Sequence, residues 1–128
     1  MRLLLDTHTL LWFALNDPQL SRTAAALIMD PAHEKLVSPA SYWEIAIKIG
    51  ANKYALAKPY EDFMREAIDK NGFLYLHIEP RHTALLTTMH YHHKDPFDRL
   101  LVAQALVEGI LLVSVDAKLD PYGVTRLW

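Results

Sequence analysis

Short apolar runs that stop at an acidic residue recur along this chain. A run over residues 2–5, apolar after Arg2, stops at Asp6, and a run over residues 110–115, apolar except for Ser114, stops at Asp116. Such runs are typical of strands that are covered on both faces of a parallel sheet. Three further strands are predicted, over residues 35–38, 73–78 and 124–128, the last as an edge strand.

Segments with helical spacing of apolar residues separate these strands. Pro39 begins one helix and Gly50 ends it, while Asp98 can cap a later helix that ends at Gly109. Strands that alternate with helices predict an α/β domain with a mainly parallel sheet and right-handed crossovers. The predicted helices cover residues 9–15, 21–29, 39–50, 59–70, 80–90 and 98–108.

Length and composition narrow the class of protein. At 128 residues we expect one domain, residues 1–128. The absence of cysteine excludes a disulfide framework and a thiol nucleophile. The net charge of −2 means that any contact with nucleic acid must come from a local patch. No apolar stretch reaches membrane-spanning length and no export signal is visible, so we expect a cytoplasmic protein without membrane contact.

Four acids stand at predicted element ends. Asp6 and Asp116 end strands, whereas Glu44 and Asp98 lie near helix starts, and all four can meet at the carboxyl edge of the sheet. Carboxylates held together repel one another, and a hard cation such as Mg²⁺ or Mn²⁺ relieves that repulsion. The chemistry that fits is attack of water on a phosphodiester.

Simpler roles exist for each of these acids. The Ser41-x-x-Glu44 spacing is that of a capping box, and Asp98 has the position of an N-cap. Asp6 and Asp116 can serve turns.

Other site classes fit less well. His90, His92 and His93 with Asp95 suggest a zinc hydrolase, yet no His-Glu-x-x-His helix is present. Asp6 also follows the first strand like the nucleophile of a metal-dependent phosphatase, but those enzymes need a second Asp where this chain has a His. None of the four glycines forms a phosphate loop, which argues against a nucleotide cofactor. A non-catalytic partner-binding module remains an alternative.

Four segments carry a family resemblance over essentially the whole chain. They read LLLDTH at residues 3–8, SPASYWEI at 38–45, DPFDRLLVAQA at 95–105 and LVSVD at 112–116. In order and spacing the chain resembles the PIN-domain family, in particular the VapC-like ribonuclease toxins of type II toxin–antitoxin modules. The resemblance implies a three-layer α/β/α fold and a Mg²⁺- or Mn²⁺-dependent endoribonuclease.

The resemblance also implies site residues. The metal-binding acids fall on Asp6, Glu44 and Asp98, and Asp116 is the fourth acid, which would position a second ion or the attacking water. Asp95 competes with Asp98 for the third role, one helical turn earlier. The resemblance also implies small hydroxyl residues that support the first and fourth acids, and these fall on Thr7 and Ser114.

Partners follow from the same resemblance. The family implies an RNA substrate, a homodimer and a cognate antitoxin whose tail covers the active site. Arg99 and Lys48 could contact RNA phosphates, or they could pair with carboxylates. Four aromatic residues suit either a partner groove or an ordinary core, namely Trp12, Phe13, Tyr42 and Trp43.

Overall fold

A computed structural model describes all 128 residues, Met1–Trp128. Its centre is a five-stranded sheet in which every pair of neighbouring strands is parallel, with the order β3-β2-β1-β4-β5. The α/β prediction is therefore confirmed. The strands are β1 (Arg2–Leu5), β2 (Glu34–Val37), β3 (Leu74–Tyr75), β4 (Leu111–Val113) and β5 (Arg126–Leu127).

Helices connect the strands. A π-helical turn, Arg65–Asp69, extends α4, and a 3-10 helix, Ala117–Tyr122, precedes β5. None of the helices is both long and apolar enough to cross a membrane. The α-helices are α1 (Thr7–Ala14), α2 (Arg22–Met29), α3 (Pro39–Gly50), α4 (Tyr60–Met64), α5 (Pro80–Leu86) and α6 (Pro96–Glu108).

Two apolar clusters lie on the two faces of the sheet. Leu3 and Leu5 of β1 belong to one cluster, which includes residues of α1, α2, α3 and α4. Leu4, between them in sequence, belongs to the other cluster, with Leu101 and Val102 of α6. Alternate side chains of a strand point to opposite faces, so both faces of β1 are buried. This arrangement is the predicted three-layer α/β/α fold.

Two helix caps differ from the prediction. The N-cap of α6 is Asp95 and not Asp98, because Pro96 at the first position suits a helix start and Asp95 accepts the backbone N–H groups of Phe97 and Asp98. Helix α3 begins at Pro39 as predicted, but Ser38 caps it, so Glu44 lies in the second turn and the Ser41-x-x-Glu44 capping box is wrong. Neither Asp98 nor Glu44 therefore has a capping role.

The remaining differences concern element ends. Strand β3 has two residues instead of the predicted six, and the helix predicted at 59–70 changes to π-type hydrogen bonding at Arg65. The 3-10 helix after Asp116 is not predicted. By contrast, Gly109 ends α6 as expected, with φ of 66°, a left-handed conformation that favours glycine.

Candidate active site

The carboxyl ends of β1, β2 and β4 meet at one edge of the sheet. Asp6 directly follows β1, Ser38 follows β2 and begins α3, and Ser114 follows β4. The backbone N–H of Asp6 donates to the carbonyl of Val113 over 3.2 Å. The fold thus brings residues from both ends of the chain to the same edge.

Asp6 is held rigidly and is almost fully buried. Its carboxylate accepts the backbone N–H of Thr9 over 2.8 Å and so caps α1. Burial raises the pKa of Asp6, while hydrogen bonds from Ser114 and Thr9 oppose that rise. A buried carboxylate of this kind is costly to ionise, and a nearby cation would offset the cost.

Glu44 is also buried and is fixed by two partners. Thr7 Oγ1 donates to one carboxylate oxygen and Lys48 Nζ to the other, each over 2.6 Å. Partial burial of Lys48 lowers its pKa, but the hydrogen bond and charge of Glu44 outweigh this effect and raise it overall. Of its two predicted roles, Lys48 therefore has the carboxylate-paired one in this structure, and Thr7 has its predicted supporting position.

Asp98 is partly buried among other acids, and its pKa is strongly raised. Burial raises the pKa of Asp98 to about 7, and the nearby negative charges of Asp95, Asp6 and Glu44 add to the effect. Asp95, the competing acid, uses one oxygen to accept the backbone N–H groups of Phe97 and Asp98 over 2.8 and 3.0 Å. Asp95 therefore caps α6, and Asp98 is the acid whose carboxylate lies within 4.8 Å of the ligand atoms of His93 and Asp116.

Asp116 reaches the same site through His93. His93 Nε2 lies 2.9 Å from Asp116 Oδ2 and 3.6 Å from Asp98 Oδ2. His93 Nδ1 accepts the backbone N–H of Asp95 over 3.0 Å, so the neutral ring carries its proton on Nε2 and donates to Asp116. Ser114 Oγ accepts the backbone N–H of Asp116 over 3.1 Å, so Ser114 supports this acid as well as Asp6.

From the sequence, His93 belongs to a zinc pattern, and its loop is also expected to lie beside the acids, where a histidine could influence RNA binding. The structure does not assemble that pattern, because the rings of His90 and His92 pair with each other, with centroids 5.8 Å apart, and His92 packs against Tyr122. His93 alone turns towards the acids. The only signal in the sequence was its position two residues before Asp95.

Arg99 does not face the acids. Its buried guanidinium donates to the carbonyl of His90 over 2.6 Å and to the hydroxyl of Tyr122 over 2.9 Å. The ring of Tyr91 covers it at 3.8 Å. These hydrogen bonds hold Arg99 against the loop before α6 and against Tyr122. This position argues against the predicted contact of Arg99 with RNA phosphates.

The aromatic residues divide between core and surface. Phe13 and Tyr42 are half-buried and pack against the core cluster on one face of the sheet. Trp43 is 58% exposed and meets the ring of Phe97 edge-on. Trp12 is half-buried and, unlike the other three, lines a cavity that also contains site acids.

These residues fit a hard divalent cation. Asp6, Asp98 and Asp116 line one cavity of about 560 Å³. Carboxylate oxygens are the ligands that Mg²⁺ and Mn²⁺ prefer, and Nε2 of His93 offers a proton rather than a lone pair. Lys48 pairs with Glu44, whereas the pKa of Asp98 is raised by burial and by the charges of Asp95, Asp6 and Glu44, so Asp98 has the least compensated charge among these acids.

Known proteins with similar sequences and folds include VapC and VapBC proteins. Ribonuclease VapC22 of Mycobacterium tuberculosis is 28% identical over 116 residues, which cover 91% of this chain and 88% of the relative. The structure of VapBC-1 from nontypeable Haemophilus influenzae superposes with a TM-score of 0.67 at 17% identity, over 99% of this chain and 97% of that one. VapBC2 from Rickettsia felis, bound to a promoter DNA fragment, gives 0.67 at 15% identity, over 99% and 98%.

The structural likenesses support the fold, since their sequence identity is low. The family follows from the sequence, because the family model described as the PIN domain matches residues 3–124, nearly the whole chain. This match confirms the resemblance that the four sequence segments indicated. The chain belongs to the PIN domain family.

Proposed function

We propose that this chain is a metal-dependent endoribonuclease, the toxin of a type II toxin–antitoxin pair, built as a single PIN-like domain over residues 1–128. One observation carries the proposal: Asp98 lies in a cavity with Asp6 and Asp116, and its pKa is raised to about 7 by burial and by three neighbouring carboxylates. Such a site favours a divalent cation. Membership of the PIN family and the likeness to ribonuclease VapC22 support RNA as the substrate.

In this proposal Asp6, Glu44 and Asp98 hold Mg²⁺ or Mn²⁺. When bound, the ion would lower the pKa of water and offset negative charge on the phosphate. The chain supplies preorganised ligands. Thr9 and Ser114 fix Asp6, and Thr7 with Lys48 fixes Glu44, so their orientations are set before a cation or RNA binds.

Asp116 has a separate role in this proposal. Its Oδ1 accepts the backbone N–H of Lys118 over 3.0 Å, and its Oδ2 faces His93. An acid held at both oxygens is suited to orient the attacking water or to support a second ion beside Asp98. The leaving group is the 3′-oxygen of the RNA, displaced in line with the attack at phosphorus.

The proposed partners are a cognate antitoxin and a second copy of this chain, in the cytoplasm. The similar solved structures of VapBC-1 and VapBC2 support an antitoxin partner. We propose that the antitoxin tail covers the acidic cavity and places a basic residue among its carboxylates. Such a residue would offset the same charge as the metal ion.

The test is cleavage of a mixture of structured RNAs by purified protein freed of antitoxin. The reactions contain Mg²⁺, Mn²⁺ or a chelator. The variant Asp6→Asn tests the site, and Glu61→Gln is the matched control because Glu61 is an exposed acid of α4, away from the site. We expect cleavage that needs metal, vanishes in Asp6→Asn and persists in Glu61→Gln.

Binding of Mn²⁺ to the folded protein is measured alongside. Cleavage that survives Asp6→Asn would reveal a contaminating nuclease and count against the proposal. A folded protein that neither cleaves RNA nor binds Mn²⁺ would contradict the metal-dependent mechanism. The non-catalytic binding module would then replace it, with partner affinity unaffected by Asp6→Asn.

A further inference from the structure

The cavity that contains the acids has an aromatic side. His8 and Trp12 lie four residues apart on α1, so both side chains are on the same helix face. Their ring centroids are 5.4 Å apart. Both residues line the cavity that Asp6, Asp98 and Asp116 line from the other side.

The aromatic side continues beyond this cavity. His8 and Trp12 also line an adjoining cavity of about 430 Å³, together with Tyr54 and Lys53. The Tyr54 hydroxyl lies 3.4 Å from His8 Nε2, which connects the loop after α3 to the start of α1. We call the surface formed by His8, Trp12 and Tyr54 the aromatic wall.

Trp12 is held in place from behind. The ring of Trp128 meets it edge-on, with centroids 5.8 Å apart, so Trp12 is half-buried while still lining both cavities. An aromatic ring that is already fixed loses little conformational freedom when a ligand stacks on it. Lys118 on the rim of the first cavity and Lys53 in the second add positive charge where a nucleic acid backbone would pass.

We propose that the aromatic wall binds an unpaired nucleobase of RNA next to the phosphate that is cleaved, with the ring of Trp12 as its stacking surface. This inference rests on the proposed nuclease function. Each base is joined to its phosphate through one sugar, so a phosphate at the acids brings a neighbouring base to the same cavity. Unpaired bases stack on aromatic side chains, whereas bases inside a duplex have both faces covered.

Other exposed aromatic side chains lack this combination. The ring of Trp43 is engaged by Phe97, and the ring of Tyr91 covers the guanidinium of Arg99. Neither lines the cavity of Asp6, Asp98 and Asp116. His8 and Trp12 share a cavity with these acids, and Lys118 and Lys53 line the same two cavities as the aromatic wall. Aromatic rings next to positive charge favour an RNA strand as the ligand of the aromatic wall.

The test measures binding without cleavage. All variants are made in the Asp6→Asn background and titrated, with Mg²⁺ present, against a fluorescent single-stranded octaribonucleotide. The same strand is also used as a duplex and with one abasic position at a time. The variants are Trp12→Ala, Trp12→Phe and His8→Ala, and Tyr75→Ala is the control because Tyr75 is an exposed aromatic residue on strand β3 at the far edge of the sheet.

We expect Trp12→Ala to weaken single-strand binding by about 5- to 150-fold, the range measured for loss of one stacked base. Trp12→Phe should retain most of the affinity, His8→Ala should lose less than Trp12→Ala, and Tyr75→Ala should bind like the background protein. One abasic position in the strand should reproduce the loss. The duplex should bind more weakly than the single strand.

Several results would overturn the inference. These are equal affinity for duplex and single strand, unchanged binding in folded Trp12→Ala, or a loss only of affinity for a protein partner. If Trp12→Ala does not fold, His8→Ala and the abasic strands decide the question. Unchanged binding in these variants, alongside metal-dependent cleavage by the wild-type protein, would remove the base site and leave the nuclease proposal intact.

Discussion

Two clusters of carboxylates and histidine lie in this molecule, and they differ in charge balance. The first contains His93, Asp98 and Asp116, and the second, which we call the distal cluster, contains Glu79, His82 and Glu108. Each brings its ligand atoms within 4.8 Å of one another. Geometry alone therefore does not distinguish them.

The carboxylates of the distal cluster are paired with a neighbouring cation, Arg81. Arg81 donates to Glu79 over 2.8 Å and to Glu108 over 2.5 Å. Buried His82 lies 3.1 Å from Glu108 through Nε2 and accepts the backbone N–H of Glu79 through Nδ1. Burial raises the pKa of Glu108, but Arg81 and His82 outweigh this and hold it below its usual value. The distal cluster joins α5 to α6, and both of its carboxylates are paired with Arg81.

The first cluster has the opposite balance. The pKa of Asp98 is raised to about 7 because burial and three carboxylates act on it, and His93 opposes them only in part. The comparison teaches that uncompensated charge, rather than the number of acids, indicates a cation site. Each prediction below changes a residue of one of these two clusters.

The largest effect is expected from Asp98→Asn. We expect a loss of RNA cleavage of more than about 100-fold, because even outer partners of a metal ligand contribute up to roughly that factor. The fold should be retained, since the change removes a repulsive charge. Glu108→Gln is the matched variant in the distal cluster and should cleave like the wild type. Equal losses in both variants would break the distinction between the clusters.

The raised pKa of Asp98 should make the stability of the protein depend on pH. Below about pH 4 the Asp98 carboxyl is protonated in the folded and unfolded states, whereas between about 4 and 7 only the folded state keeps its proton. The contribution of Asp98 to the free energy of unfolding therefore falls as pH rises from about 4 to 7, and it is constant above that range. We expect the metal-free wild type to lose on the order of 2–3 kcal/mol relative to Asp98→Asn.

Urea denaturation of both proteins at several pH values measures this difference. Added Mg²⁺ should restore stability to the wild type at pH 8, because a ligand that binds only the folded state stabilises it. Asp98→Asn should gain less. A wild type whose stability tracks that of Asp98→Asn at every pH would show that Asp98 has no raised pKa.

Some of the structural features behind these predictions could be predicted from the sequence, and others could not. Local features of the sequence set the helix and strand ends, namely Pro39, Gly109 and the apolar runs before Asp6 and Asp116. The sheet edge where the acids meet could therefore be predicted. The competition between Asp95 and Asp98 could not be resolved, because both suit an N-cap. The choice depends on where Pro96 places the helix start.

The loop before α6 was less predictable still. His93 turns inwards because its backbone N–H donates to the hydroxyl of Tyr122, 29 residues later, over 3.0 Å. Arg99 is drawn away from the acids by the carbonyl of His90 and the same hydroxyl. These are long-range contacts, and no local pattern in the sequence indicates them.

The neighbouring histidines allow a smaller test. His93→Ala removes the donor to Asp116, and we expect about a tenfold loss of cleavage, the scale of an outer partner of a metal ligand. His92→Ala is the control, because His92 is exposed and packs on Tyr122. His93→Gln should recover part of the activity by restoring an N–H donor. Similar cleavage by both alanine variants would argue that His93 does not orient Asp116.

The smallest effect is expected in the distal cluster. Glu108→Gln removes the charged partner of Arg81 and His82, and we expect a loss of about 0.5–1 kcal/mol in the free energy of unfolding because Arg81 is half-exposed. Thermal denaturation measures this change, and Mn²⁺ binding should stay as in the wild type. A loss of Mn²⁺ binding would show that the distal cluster also holds a cation.

The position of β4 beside β1 also has a consequence for the timing of protein synthesis. The carbonyl of Val113 accepts the Asp6 backbone N–H and the Thr9 hydroxyl, so the end of β1 is completed by a strand made more than a hundred residues later. At about 5–20 residues per second, the ribosome needs roughly 5–20 s to make that interval. The sheet edge that holds the acids is therefore incomplete until β4 has been made.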